Sequence, residues 1–596
     1  MAWIPKRTLA EVEAILCGPG QLHEVEKCVV DGRVQRVYKN AWQSLRHFWL
    51  WAAAEHSDRT HITFEGRKIT FRDARDRSAK VAAVLQELYD VQKGDRVVIC
   101  SRNYPDYLVA FWACHLIGAV SVLVNAWLPL EPTMHCLIQT QAKVVIMDPP
   151  RADLLEHHIN TIARKVETTG FLVWEQHEGK GKWEGIENWS EVLDSYQGDP
   201  RRMLIEDPGI APEDNATIIF TSGTTGLPKG VLSTQRMFLT NIINVVAGSR
   251  RAILRRGESP PQTMTPDGPQ KGILISVPLF HVTGTTSMSM VATMTGMNIV
   301  LMRKWVPEKG ELTRYCRSLI RQENVAIAGG VPSMAADLLA TSAVGQQLDG
   351  LLFGGAPAPE WLAKGLKDAF PDAALSQAYG LTETNSVAVS VTGEDYITRS
   401  TCAGLATPVN DILIVKDERV VPPGELGEVW LRGPNVMKEY WGDPIATKKV
   451  ITQDGWLRSG DIGFVDHEGF LYIRDRIKDL ILRGGENIDS VSVENAVSAD
   501  HRLLEVAAVG VPDRRLGELV AVVASVKAEY RGRVYEEEVI RAASQRLPRF
   551  AVPVMVILQD DRLPRNPSGK VMKVDLRLSA RDEWQRRQSG RVGPKL

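Results

Sequence analysis

From Gly94 onward, short β-branched runs alternate with helix-length segments, and this rhythm restricts the chain to parallel sheets covered by helices. Arg96–Cys100 (RVVIC), Val120–Val124 and Val144–Met147 have the composition of buried strands. Between them, Pro105 opens a periodic segment to Ile117, and Thr133–Gln141 has helical spacing. Parallel strands need crossover connections, which place helices on the sheet faces and leave the strands apolar throughout. The rhythm returns at Ile273–Val277, Ile299–Met302, Val325–Ala328 and Leu351–Phe353, so a large N-terminal domain of two α/β layers is expected. Near residue 400 the texture changes. Asp411–Val415, Gly427–Arg432 and Gly463–Ile473 read as short strands, with His467-Glu468-Gly469 as a hairpin tip, and predict a small β-barrel subdomain. After Arg476 comes a compact α+β region: strand Leu480–Leu482, a helix from Ser490, strand Val506–Val511, helix Tyr535–Arg546 and strand Val552–Leu558. Residues 1–476 are therefore expected to form the N-terminal domain, with subdomains at about 45–230, 231–395 and 396–475, and 477–596 a small C-terminal domain. The polar segments Glu175–Trp189 and Arg255–Lys271 read as surface loops, and the charged tail after Ser579 as solvated.

Charge and cysteine content exclude several functions. Lys and Arg total 71 against 72 Asp and Glu, which leaves no basic footprint for a nucleic-acid partner. The seven cysteines are scattered with no CxxC, which argues against structural zinc or a disulfide framework and suits a reducing, intracellular compartment. No apolar core of an export signal follows Met1. The apolar stretch Leu108–Leu128 is broken by His115, Gly118, Ser121 and Asn125, so it reads as a buried helix then a strand, and no transmembrane segment is expected.

The chemistry concentrates in Thr221-Ser222-Gly223-Thr224-Thr225-Gly226-Leu227-Pro228-Lys229-Gly230, which follows the apolar strand Ala216–Phe220. Glycines let backbone N–H groups approach an anion, hydroxyls add donors, and Lys229 adds positive charge. Leu227-Pro228 before the lysine distinguishes it from the P-loop pattern. Further motifs follow in order: Gly354-Gly355-Ala356-Pro357, then Gln377-Ala378-Tyr379-Gly380-Leu381-Thr382-Glu383, then Trp456–Asp461. Next come Asp475–Asp479 with Gly484-Gly485-Glu486, and Asn566-Pro567-Ser568-Gly569-Lys570. Taken singly, Glu383 reads as a helix N-terminal acid, Asp461 as a turn cap and Lys570 as a turn lysine. Together, over about residues 45–575, they resemble the adenylate-forming superfamily, most closely medium- and long-chain fatty acyl-CoA synthetases.

That resemblance implies an AMP-forming acid–CoA ligase with ATP, Mg²⁺ and CoA as its small-molecule partners. A carboxylic acid, expected to be a fatty or related apolar acid, is joined to ATP as an acyl-adenylate with release of pyrophosphate, and the acyl group then passes to the CoA thiol. Transfer to a carrier-protein thiol, or an aryl or secondary-metabolite acid, is the alternative. The resemblance assigns Glu383 to Mg²⁺ and Thr382 to the α-phosphate, with Tyr379 beside adenine and Gly354–Pro357, Gln377, Ala378 and Gly380 as the nucleotide wall. Asp461 falls to the ribose, Arg476 to ribose or phosphate, and Lys570 to catalysis of adenylation. It implies a mobile C-terminal lid hinged near Lys478, and Gly484, Gly485 and Glu486 beside CoA. Its acid pocket maps to His281, Val282, Thr283, Gly284, Gly329, Gly330 and Val331, although His281 reads equally as a core histidine. Two positions depart from the family pattern: Asp475 where glycine is usual, and Ser492 where an acid is common. The C-terminal Pro594-Lys595-Leu596 approximates a peroxisomal address, with a random basic terminus as the alternative.

Overall fold

A computed structural model describes residues 3–221, 227–261, 268–303, 305, 318–340, 347–484, 486–566 and 569–591. Two large sheets organise it. In the first, Arg96–Cys100, Val120–Leu123, Val144–Met147 and Gly170–Val173 run parallel. Asn215–Phe220 lies parallel beside Val120–Leu123, and Gly230–Thr234 returns antiparallel to it. In the second sheet the parallel strands are Asn298–Leu301, Gly272–Ile275, Val325–Gly330, Gly350–Gly354 and Ala374–Tyr379, followed by antiparallel Val389–Thr392. The largest core lies between the sheets and joins strand residues such as Val97 and Ile146 of one with Ile273 and Ile299 of the other. Helices fill this space, where Trp49 of Leu45–Glu55 stacks on Trp112 of Pro105–Leu116 at 4.7 Å. Phe71–Glu87 shows why such helices form: Thr70 and Asp73 make a capping box, and Ala74, Ser78, Val81, Ala82 and Leu85 bury one face.

The expected α/β layers and the helix–strand reading of the 108–128 stretch are present, and no helix among the described residues is long and apolar enough to cross a membrane. The third subdomain is a five-stranded antiparallel sheet from Asp411–Lys416 to Leu471–Arg476. Its edge strands are not paired with each other among the described residues, so it is an open sheet where a barrel was expected. The C-terminal region pairs Leu503–Asp513 with Gly517–Val526, adds Met555–Gln559 in parallel, and packs helices Ser490–Ser498, Glu536–Ser544 and Lys573–Arg591 around them.

Two further expectations need correction. The tail after Ser579 is helical: Leu576 and Ala580 are buried and Trp584 donates to Pro512 O at 3.0 Å, an i, i+4, i+8 stripe within a charged stretch. The supposed loop at Glu175–Trp189 buries Trp183, Ile186 and Trp189 and adds the short strand Glu187–Asn188 to the first sheet. The N-terminal forty residues form helix Leu9–Leu16 and the hairpin Val25–Val30/Arg33–Tyr38.

Candidate active site

A cavity of about 2120 Å³ opens at the C-terminal ends of the second sheet's strands and is bordered by both the large region and the C-terminal one. Parallel neighbours bring Gly354 beside Ala378. A Cβ on Gly354 would stand 2.3 Å from Ala378 O, and one on Gly380 only 1.5 Å from Ser386 O, so both glycines answer close backbone approach. Beyond Gly380 the chain makes a 3₁₀ turn, Thr382–Thr384, then reverses through Asn385 and Ser386 at φ 54° and 109°. Such conformations cost free energy and concentrate at functional sites. Thr384 Oγ1 spans the reversal, accepting from Leu381 N at 2.9 Å and donating to Ser386 O at 3.0 Å.

The polar groups fall into three clusters. Glu383 Oε1 accepts from the Tyr440 hydroxyl at 2.6 Å, and Lys229 Nζ lies 5.0 Å from the Tyr440 ring centre. Tyr440 sits on a two-residue edge strand and escaped the sequence reading because nothing in its spacing marks it. In the second cluster Asp461 and Arg476 are cross-strand partners: Asp461 Oδ1 meets Arg476 Nε at 3.1 Å and Oδ2 accepts from the Tyr379 hydroxyl at 2.7 Å. Burial first, and then Asp461, raise the Tyr379 phenol well above its ordinary range. Burial alone would lower Arg476, but Asp461 and its neighbours more than offset that. Gln377 borders this wall with Oε1 unpaired among the described residues.

Lys570 forms the third. Its loop is closed by Asn566 N donating to Lys570 O at 2.8 Å and Lys570 N donating to Asn566 Oδ1 at 2.9 Å, with Gly569 at φ 84°. Gly569 lies against Val331, and a Cβ on Gly355 would stand 3.3 Å from Lys570 Cε and 3.6 Å from Nζ. The lysine thus reaches over Gly355. Burial, with Arg476 and Lys478 beside it, brings its ammonium down to about 8 despite Asp461 and Glu383. Burial and Arg476 lower Lys478 as well. Arg562 anchors this region to the large one through Asp337 at 2.8 Å.

On the acid side, His281, Val282, Thr283, Gly330 and Val331 border the cavity with Phe280, Val245, Val246 and Met288. His281 Nδ1 accepts from Thr283 N at 3.4 Å, and burial and then Lys570 lower the imidazole to about 3, so it is neutral. Trp127 meets Phe280 edge-on at 5.1 Å. Thr283–Ser289 is a π-helical turn, a rare form that is frequent at functional sites. Gly284 and Gly329 do not border the cavity: a Cβ there would stand 2.3 Å from Pro278 O and 1.7 Å from Leu352 O, so packing requires them. Gly484 and Glu486 also lie outside it, Gly484 N donating to Leu516 O at 2.7 Å and Glu486 pairing with Arg483. Asp475, where glycine is usual in the resembled family, is buried and accepts from Ser490 N at 2.6 Å.

Thr221 borders the cavity and its N–H donates to Lys229 O at 2.9 Å, closing the neck of the glycine-rich loop. Ser222, Gly223, Thr224, Thr225, Gly226, Gly485 and the C-terminal tripeptide lie outside the described residues. Among the described residues, one three-ligand cluster, Glu175, His177 and Glu178, meets the geometry for a metal; it is away from the cavity, and Glu178 already accepts from Tyr104 at 2.6 Å. Within the cavity, Glu383 offers one carboxylate, which fits Mg²⁺, an ion held by one or two carboxylates together with substrate phosphates.

A family model described as AMP-binding enzyme matches residues 49–441, and one described as AMP-binding enzyme C-terminal domain matches 492–570. The long-chain-fatty-acid–CoA ligase FadD13 of Mycobacterium tuberculosis is 31% identical over 515 residues, covering 86% of this chain and 93% of its own. A feruloyl-CoA synthase of Amycolatopsis sp is 31% identical over 524 residues, 87% of this chain and 95% of its own. Among solved structures, o-succinylbenzoate CoA synthetase (MenE) from Bacillus subtilis with its acyl-adenylate intermediate OSB-AMP aligns with a TM-score of 0.72 at 26% identity, covering 89% of this chain and 97% of that one.

Proposed function

This chain belongs to the AMP-binding enzyme family, and from that premise we propose that it is an AMP-forming acid–CoA ligase acting on an apolar carboxylic acid. The observation that carries the reading is Lys570 reaching over Gly355 into the cavity that also holds Tyr379, Asp461, Arg476 and Glu383. A carboxylate oxygen of the acid attacks the α-phosphorus of ATP, and the bond to the bridging oxygen breaks with its electron pair leaving on pyrophosphate. Lys570 brings a point charge to the attacking carboxylate and the α-phosphate, where negative charges must otherwise converge. Tyr379 and Asp461 hold adenine and ribose, and Arg476 shields Asp461 while reaching toward phosphate. Glu383 would hold Mg²⁺, which when bound neutralises phosphate charge, and Thr382 falls to the α-phosphate. We assign the departing phosphates to Lys229 and the glycine-rich motif on the chemistry of their residues.

In the second step the CoA thiolate attacks the acyl carbonyl carbon and AMP leaves with the electrons of the broken C–O bond. We assign this step to a second orientation of residues 477–596, turning about Lys478, that brings Gly484-Gly485-Glu486 to the cavity; such alternation keeps water from the adenylate. The apolar lining from Val245, Val246, Met288 and Val331 favours a fatty or related acid. A flat aromatic acid is the second reading, favoured by the Trp127–Phe280 pair and by the feruloyl and o-succinylbenzoate relatives. Purified protein tested with a panel of acids for pyrophosphate–ATP exchange and CoA-dependent AMP release decides the matter. Exchange with no acid refutes the ligase, and exchange without CoA consumption moves the acyl group to another acceptor.

A further inference from the structure

Residues 3–44 precede the span that the family model matches and lie along the outer face of helix Gln235–Arg255. Val12 and Leu16 pack on Leu254, Tyr38 packs on Ile243, and Lys6 N donates to Arg255 O at 2.9 Å. Glu13 pairs with Arg251, and Arg36 extends to Asp411 of the third sheet at 2.7 Å. The same helix lines the cavity with Val245, Val246 and Ser249.

At one point this N-terminal strap reaches inward. Tyr38 is 3% exposed, and its hydroxyl donates to Asn244 Oδ1 at 2.7 Å. Asn244 Nδ2 donates onward to Val387 O at 2.9 Å and to Asn410 Oδ1 at 3.2 Å. Asn435 Nδ2 donates to Thr384 O at 2.8 Å, and Asn241 Oδ1 accepts from Val387 N at 2.8 Å. These asparagines are all buried. The backbone of 384–387, which contains the two positive-φ residues and follows directly on Thr382 and Glu383, is thus gripped by side-chain amides on both flanks. A buried polar network of this kind specifies one geometry only when its members are satisfied, and Tyr38 supplies the donor that Asn244 Oδ1 takes.

We propose that Tyr38 is a positioning residue for the nucleotide site: through Asn244 it fixes the 384–387 turn and so the Glu383 carboxylate, making the N-terminal strap part of the nucleotide-binding apparatus. The inference rests on the ligase reading above. It is tested in the full chain with Tyr38→Phe and with Asn244→Asp, which keeps the acceptor for Tyr38 but replaces the donor to Val387. Val34→Ser, on the exposed part of the hairpin, is the control. Titration calorimetry of Mg·ATP without acid is paired with KM values for ATP and for acid, and with melting temperature. Both variants should weaken ATP binding and raise KM for ATP about 5- to 10-fold, with KM for acid unchanged and the control like wild type. Either folded variant binding ATP as tightly as wild type, whatever its melting temperature, overturns the proposal. A wild-type protein that binds no ATP sinks the ligase reading instead, and is recognised because the loss is then present before any substitution.

Discussion

The role proposed for Lys570 predicts an adenylation step that is sensitive to alkaline pH. Its ammonium is lowered from 10.5 to about 8 by burial and by Arg476 and Lys478. That corresponds to about 3–4 kcal/mol of disfavoured cation, which an anionic ligand recovers on binding. The group must carry its proton to assist, so its contribution is full below pH 8 and is lost as pH rises through that value. In pyrophosphate exchange, kcat/KM for ATP, which reports the free enzyme, should fall about tenfold per pH unit above roughly 8.5. His281, neutral down to about 3, adds no acidic limb between pH 5 and 8. Lys570→Ala should lose at least about 150- to 900-fold, the rate equivalent of about 3–4 kcal/mol, while thioester formation from supplied acyl-adenylate survives. Lys570→Arg, which stays charged, should abolish the alkaline fall at a lower plateau, because a planar fork replaces a point charge. A wild-type profile flat from pH 7 to 10, or an arginine variant that keeps the fall, refutes the argument.

Other substitutions test neighbouring contacts. Tyr440→Phe removes a 2.6 Å hydrogen bond to Glu383 while keeping the ring beneath Lys229. Bonds to charged groups contribute about 1.5–3 kcal/mol, so the Mg²⁺ concentration for half-maximal exchange should shift about tenfold or more, and an unchanged value would remove Glu383 from the metal role. Arg562→Ala breaks the 2.8 Å pair with Asp337 that holds the Lys570 region in place; pyrophosphate exchange should drop several-fold while thioester formation from supplied adenylate does not, and equal losses would count against two orientations. Trp127→Ala should reduce kcat/KM for aromatic acids about 3- to 10-fold relative to straight-chain acids, as expected from an aromatic contact of about 0.5–1.5 kcal/mol; no change in the ratio would exclude Trp127 from acid selection. Trp584→Ala should lower the melting temperature without altering exchange kinetics, since the indole only docks the last helix on Pro512.

The two parallel sheets were legible because strands such as Arg96–Cys100 and Val144–Met147 are buried on both faces, which leaves an unbroken apolar run that little else produces. Gly354 and Gly380, which the resemblance assigns to the nucleotide wall, border the cavity, and a side chain at either would strike backbone. Gly284 and Gly329 were misread because a glycine needed by packing and one bordering a cavity look identical in a sequence. The tail helix was hidden because its apolar stripe is only Leu576, Ala580 and Trp584 among charged neighbours. Tyr440 and Tyr38 were invisible because each acts through one hydroxyl, on a partner 57 and 206 residues away respectively, and no local period carries that information.

The charge arrangement explains why the Lys570 region and the nucleotide depend on each other. Arg476, Lys478 and Lys570 share the cavity with Asp461 and Glu383, and Asp461 is already committed to Arg476 and Tyr379. Burial first, and then Arg476, disfavour the charged forms of both lysines, with Asp461 opposing them. A polyphosphate reverses that balance, because each negative charge placed among the three cations relieves repulsion that burial has amplified. On the two-orientation mechanism proposed above, the docked arrangement should bind ATP more tightly than an undocked one, and by linkage ATP should favour docking by the same factor. Release of pyrophosphate removes most of that charge and with it the reason for Lys570 to stay, which is the condition a second orientation requires.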